Sequence, residues 1–166
     1  MKRFWALSVM SAFLIIIDQL TKGAVQSSFT LGESIPVIDG FFNLTYVRNP
    51  GAAFGFLAYA SDNIRKFMFL FIPTIFSFGV LYMLIKTIKG PAYMSLAYAL
   101  ILSGAIGNLI DRYSLRYVVD FFDFYIGDSH FPAFNIADSC ITVAAFLLVY
   151  DMIIQKIEER KKSKVA

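Results

Sequence analysis

The chain is poor in the residues that build the commoner soluble sites. It holds one cysteine and one histidine in 166 residues. A single cysteine excludes an internal disulfide, and a single histidine argues against a histidine-based metal centre. Charge is scarce: Asp, Glu, Lys and Arg make up 16% of the chain, against about 25% in soluble domains. The net charge of +3 is too small an excess, in so apolar a chain, for a nucleic-acid binder. There is no internal repeat and no low-complexity stretch, and the length suits one domain. What is abundant is apolar surface, with 58% hydrophobic residues and a mean hydropathy of +0.64. That composition excludes a disordered chain and predicts a domain that sits in a lipid bilayer.

A spanning helix needs about 20 mostly apolar residues. Phe67–Ile85 and Ala92–Ile110 carry no charge and meet this directly. Phe4–Ile17 is long enough only by running through Asp18 to about Ala24, and Ser139–Tyr150 needs Asp138 and the residues up to Lys156. The reading is a membrane α-helical fold, one integral domain over 1–166, with spans at about 4–24, 65–86, 92–112 and 137–156. The first apolar run ends in Asp18-Gln19-Leu20-Thr21-Lys22, which is no small-residue cleavage site, so it is read as a retained helix. An ionisable group at membrane depth is costly unless it faces protein or water, which makes the aspartates of the two weaker spans candidates for function.

Four spans put both termini on one side. That side holds nine basic residues: Lys2, Arg3, Lys86, Lys89, Lys156, Arg160, Lys161, Lys162 and Lys164. The other holds six: Lys22, Arg48, Arg65, Lys66, Arg112 and Arg116. The bias predicts cytoplasmic termini. The tail from Lys156 to Lys164 reads as a solvated helix end near anionic headgroups. The outer loops, about 25–63 and 113–133, are expected to form a small extracytoplasmic β-subdomain. Ser34–Ile38 and Phe41–Arg48 flank an Asp39-Gly40 turn, and Tyr117–Ile126 is aromatic and β-branched. Pro73 predicts a mild kink, Phe67–Phe78 lipid-facing surface, and Cys140 a small buried apolar residue. Asn43-Leu44-Thr45 matches a glycosylation acceptor, a pattern common by chance.

Polar residues collect at the outer span ends: Asp18 and Lys22 on the first, Asn108, Asp111 and Arg112 on the third, Asn135 and Asp138 at the fourth. Gly104, Asn108 and Asp111 share one helical face, and Ser103 with Gly107 forms a small-xxx-small pair suited to close helix approach. Asp120 follows in the outer loop. Asp120 and Asp138 are the sharpest pair. Two carboxyls sharing a proton can activate water, one ionised to take a proton from it, the other protonated to polarise a carbonyl. Asp123 is a rival to Asp120; three apart on a strand, they point to opposite faces. His130, beside Phe131-Pro132, reads as a loop cap. Structural hydrogen bonding of each aspartate, a proton relay in a small transporter and a polar cap that binds partner helices are the other readings, although transporters usually show repeated halves.

The motifs resemble those of a known family, the bacterial lipoprotein signal peptidases (signal peptidase II). Asp18-Gln19-Leu20-Thr21-Lys22, Asn49-Pro50-Gly51-Ala52-Ala53-Phe54, Gly104 through Arg112, Val118-Val119-Asp120-Phe121 and Phe134-Asn135-Ile136-Ala137-Asp138-Ser139 are similar to its five blocks, in the same order. Pro50, after Asn49, departs from the family's pattern. The resemblance implies an aspartic endopeptidase of the bacterial inner membrane that removes signal peptides from prolipoproteins just before a diacylglyceryl-modified cysteine. By the same resemblance Asp120 and Asp138 are the catalytic pair. Asn49, Asn108, Arg112 and Asn135 hold substrate and orient the pair, and Asp18, Lys22, Gly104 and Asp111 support the site. No metal or other cofactor is implied. The expected partners are the prolipoprotein and membrane lipid, with no nucleic acid, and the chain is expected to act as a monomer at the outer leaflet. The first outer loop, with Gly51 and Gly55 near Phe54, is expected to act as a lid.

Overall fold

The computed structural model describes residues 1–51 and 61–163. Phe54 and Gly55, and with them the expected lid, lie outside the described residues. The chain runs α1 (Lys2–Ser28), β1 (Ser34–Ile38), β2 (Phe42–Asn49), α2 (Asp62–Lys66), a π-helical turn (Phe67–Phe71), α3 (Ile72–Thr87), α4 (Ala92–Ser114), β3 (Val118–Ile126), β4 (Ser129–His130) and α5 (Ile136–Ser163). Among the described residues, four helices are long and apolar enough to cross a membrane: Lys2–Ser28, Phe67–Thr87, Ala92–Ser114 and Ile136–Lys161. On α1, Val9, Phe13, Ile16 and Leu20 are exposed at helical spacing, a stripe suited to lipid.

The helices overrun the expected spans. The first continues to Ser28 because Val25 packs with Tyr46, Val119 and Phe121 beneath the sheet. Pro73, where a mild kink is expected, follows a π-helical turn in which the Ile72 N–H reaches back to the Phe67 carbonyl. Proline lacks an N–H and crowds the preceding turn, and a widened turn relieves both. Phe67, Phe71 and Phe78 are exposed, as expected of a lipid face, and Cys140 is buried.

The strands form one antiparallel sheet in the order β1-β2-β3-β4, at the end of the bundle where α4 finishes and α5 begins. The β1–β2 turn places Gly40 at φ +76°, a conformation glycine adopts without strain. Two registers matter for the site. Val47 pairs with Asp120 and Asn49 with Val118, and an isolated bridge joins Phe122 to Phe134. The second seats the segment after β4 against β3. Two-residue β4 is too short to show in a hydrophobic pattern and was not expected. It also corrects the reading of His130, which sits in a strand and not at a loop cap.

Gly104 lets α4 approach α5 closely, and Gly107 lets it approach α1. A Cβ on Gly104 would collide with the Ala137 carbonyl oxygen and lie 2.7 Å from Ile141 Cγ1; on Gly107 it would lie 2.7 Å from an Asp18 carboxylate oxygen. Membrane helices lack a hydrophobic drive to associate in lipid, so such close backbone contacts carry their packing. Gly104→Ala is expected to lower the unfolding midpoint in detergent by several degrees, because a backbone atom cannot step aside as a side chain can. Gly23→Ala, where nothing lies within 4 Å, is expected to leave it unchanged. A thermal-shift series compares the two.

Candidate active site

Asn135 stands where α5 begins, and its sequence neighbourhood explains the geometry. Its Oδ1 accepts the Asp138 N–H at 2.9 Å, and Asp138 Oδ2 accepts the Asn135 N–H at 3.3 Å. This reciprocal cap satisfies donors that a helix start otherwise leaves bare, and it fixes both side chains. Asn135 Nδ2 then donates to Asp120 Oδ1 at 2.7 Å, with the Val119 carbonyl and Asn108 Oδ1 each at 3.2 Å. One asparagine thus bonds both carboxyl groups, although they arrive on β3 and α5.

Each carboxyl has a second amide. Asn49 Nδ2 donates to Asp120 Oδ2 at 3.0 Å, and Asn108 Nδ2 to Asp138 Oδ1 at 2.8 Å. Asn49 is itself aimed by the Gly51 N–H, which donates to its Oδ1 at 3.0 Å. Gly51 sits at φ +118° against the Phe69 ring, so only glycine fits there. Asp120, Asn108 and Asn135 are buried. Burial, and next the negative charge of Asp138, push the Asp120 carboxyl up to about 7, against hydrogen bonds from Asn49 and Asn135 and the Lys22 charge.

That shift carries a sign for stability. Between the ordinary carboxyl range and about pH 7, the folded chain keeps a proton on Asp120 that the unfolded chain has released. Stability therefore falls as pH rises through this window, by at most about 4 kcal/mol from this group. The unfolding midpoint in detergent is expected to drop between pH 5 and pH 8, and Asp120→Asn to flatten that drop. A pH series of thermal unfolding curves checks it.

Beneath the carboxyl pair lies a buried cation. Lys22 Nζ is 2.9 Å from Asp18 Oδ2, 3.0 Å from Asp111 Oδ2 and 3.0 Å from Asn108 Oδ1, with Lys22, Asp18 and Asp111 at 3% exposure or less. The carboxylates reach outward in turn. Asp18 Oδ1 accepts the Ala137 N–H of α5 at 2.9 Å, and Asp111 Oδ2 accepts the Val119 N–H of β3 at 3.1 Å. The Lys22 cluster therefore ties down both elements that carry the carboxyl pair. Gln19, quoted in the sequence blocks but given no role there, bonds Asp111 Oδ1 at 2.9 Å, the Gly107 carbonyl at 3.1 Å and Asp18 Oδ2 at 3.2 Å. Its place beside Asp18 in a polar run was the one available signal.

A cleft of 370 Å³ opens beside Asp138, between α3, α4 and α5. Its α4 wall is Ile101, Ala105, Asn108 and Arg112, its α5 wall Asp138, Ile141, Ala145 and Leu148, and Pro73 and Phe76 face them. Each wall follows one helical face, so the cleft is an apolar groove with polar groups at one end. Arg112 Nε is buried there without a hydrogen-bond partner among the described residues. Asp123, by contrast, bonds to His130, Asn43 and Thr45, and so lies apart from this cluster. Asn43, the match to a glycosylation acceptor, spends its amide on that aspartate.

Among the described residues, four helices long and apolar enough to span a membrane, a small sheet and two carboxyls joined through one asparagine beside an apolar groove define an integral membrane protein. The family described as Signal peptidase (SPase) II matches residues 10–154. A lipoprotein signal peptidase of Desulforapulum autotrophicum is 46% identical over 153 residues, 92% of this chain and 94% of that protein. One of Syntrophus aciditrophicus is 49% identical over 152 residues, with the same coverage of each. A solved bacterial membrane enzyme superposes with a TM-score of 0.77 at 33% identity, covering 91% of this chain and 89% of that one. The chain belongs to the signal peptidase II family and is a multi-pass membrane peptidase.

Proposed function

We propose that this peptidase removes the signal peptide of diacylglyceryl-modified prolipoproteins just before the lipidated cysteine, by two-aspartate activation of water at Asp120 and Asp138. The observation that carries the reading is the Asn135 bridge, which bonds both carboxyls, one of which, Asp138, lines the groove. The signal peptide is an apolar helix that enters the groove sideways from lipid. Its backbone amides are internally bonded, so the scissile segment must unwind. Arg112 Nε, Asn49 and Asn108 then supply donors to the freed carbonyls.

The pair starts with one proton, in keeping with the raised Asp120 value and the like charge of its neighbour. The ionised carboxylate takes a proton from water as the oxygen attacks the scissile carbonyl carbon. The protonated carboxyl donates to the carbonyl oxygen, giving a neutral gem-diol. On collapse the acquired proton passes to the leaving nitrogen, one gem-diol hydroxyl returns its proton to the carboxylate that had given one up, the C–N bond breaks, and the cysteine amine departs. The pair is left with one proton, ready for the next water. Asp18, Lys22, Gly104 and Asp111 hold the elements in place. The chain acts as a single domain and a monomer in the bacterial inner membrane, with cytoplasmic termini and the site at the outer leaflet, where the lipidated cysteine lies.

The test is purified protein incubated with a diacylglyceryl-modified prolipoprotein peptide and with the same peptide lacking lipid, in the presence of a metal chelator, with products read by mass spectrometry. Cleavage before the cysteine of the lipidated peptide alone is the expected result. No cleavage, cleavage elsewhere, or loss of cleavage with chelator contradicts the reading.

A further inference from the structure

Outside the carboxyl pair and its support, the described residues hold two further clusters built around a buried acid, Asp151 with Tyr93 and Gln155 at the far end of the bundle and Asp123 in the sheet, and the second bears on the site. It lies on the other face of β3. Along that strand Asp120, Phe122 and Phe124 alternate with Phe121, Asp123 and Tyr125, so Asp123 turns away from the pair. Asp123 is buried, and His130 Nδ1 meets its Oδ1 at 2.8 Å. Asn43 Nδ2 at 3.3 Å and Thr45 Oγ1 at 3.1 Å donate to its Oδ2, and Thr45 shares a 2.7 Å bond with Ser34. Burial opposes the charge on Asp123, but the bonds from His130, Asn43 and Thr45 together hold its pKa below the ordinary carboxyl value. The His130 ring lies flat on Tyr125, 4.9 Å between centroids and 9° from parallel, and the Tyr125 hydroxyl accepts the Gly40 N–H at 2.9 Å.

His130 begins the return path to the site. From β4 the chain runs back along β3, with Phe131 N–H donating to the Phe124 carbonyl and Phe134 N–H to the Phe122 carbonyl. Phe134 also accepts the N–H groups of Phe121 and Phe122, and the next residue is Asn135. We infer that the Asp123–His130 pair is a positioning element for the peptidase reaction, setting the register of the return segment and, through Asn135, the geometry of the Asp120–Asp138 pair. The inference rests on the function proposed above. A two-residue strand is too short to hold its own register. A slip of one residue would turn each side chain to the other face, and Asn135 would leave both carboxyls. The Asp123 carboxylate, fixed by β2, binds His130 in one register only.

The test uses His130→Phe, which keeps a flat ring on Tyr125 and loses the bond, and His130→Asn, whose amide replaces the Nδ1 donor. Wild type and both variants are assayed on the diacylglyceryl peptide, and backbone exchange over 131–138 is followed by mass spectrometry. His130→Phe is expected to lower kcat about fivefold with KM unchanged, as a slightly misplaced reacting group does, and to speed exchange over 131–138. His130→Asn is expected to restore both. Wild-type exchange in His130→Phe, or His130→Asn no better than His130→Phe, overturns the inference. If the wild type cleaves nothing, the proposed function fails, and the exchange result alone still decides for or against the positioning role.

Discussion

Asp120→Asn and Asp138→Asn, made one at a time, are each expected to lower kcat on a lipidated prolipoprotein by roughly 10³–10⁴-fold, with substrate still bound. Asparagine keeps the size of each side chain and an oxygen to accept from Asn135. It cannot take a proton from water or lend one to a carbonyl. The pair acts as a unit, so the double variant is expected to be no worse than either single one. Asp151→Asn is the matched control. Asp151 is also buried, yet it bonds Tyr93 and Gln155 at the other end of the bundle, and its loss should leave kcat near wild type. Steady-state kinetics with a separate binding assay distinguish a lost chemical step from a lost fold. A single variant that retains a tenth or more of wild-type kcat contradicts the shared role.

The largest loss of stability is expected at Lys22. Its ammonium meets two carboxylates and one amide oxygen, all buried. Removing one member of such a group strands charge where water cannot reach, at about 3–5 kcal/mol. Lys22→Met leaves Asp18 and Asp111 without their cation, and these two hold the first turn of α5 and the start of β3 through the Ala137 and Val119 N–H groups. Little folded Lys22→Met protein is therefore expected after detergent extraction. Adding Asp18→Asn and Asp111→Asn removes the stranded charges, and the triple variant should recover much of the folded yield, read by size-exclusion chromatography. If Lys22→Met alone extracts and melts like wild type, the cluster is not what supports the site.

Much of the fold was legible because the bilayer constrains it. Phe67–Ile85 and Ala92–Ile110 are uncharged over a full membrane thickness, and only a helix satisfies its own backbone there. Helix ends were less legible. Hydropathy marks the lipid boundary, whereas α1 runs on to Ser28 because Val25 belongs to the core under the sheet. The candidate site was legible as a list. Asp18, Lys22, Asn108, Asp111, Asn135 and Asp138 stood out as polar groups at span ends, where such residues are costly. Their assembly was not. That Asp120 and Asp138 converge on Asn135 depends on the Phe122–Phe134 bridge and a reciprocal helix cap, and neither leaves a periodic trace. The strand position of His130 leaves no trace for the same reason, since two residues of strand show no alternation.

The most direct measurement is infrared difference spectroscopy of the protonated-carboxyl stretch across a pH titration, on wild type, Asp120→Asn and Asp138→Asn in lipid. The account predicts a protonated carboxyl that titrates near pH 7 in wild type and is missing from that titration in Asp120→Asn, with Asp138→Asn shifting it to lower pH as the like charge is removed. A wild-type spectrum in which no carboxyl titrates between pH 5 and pH 8, or one that Asp120→Asn leaves intact, would contradict it.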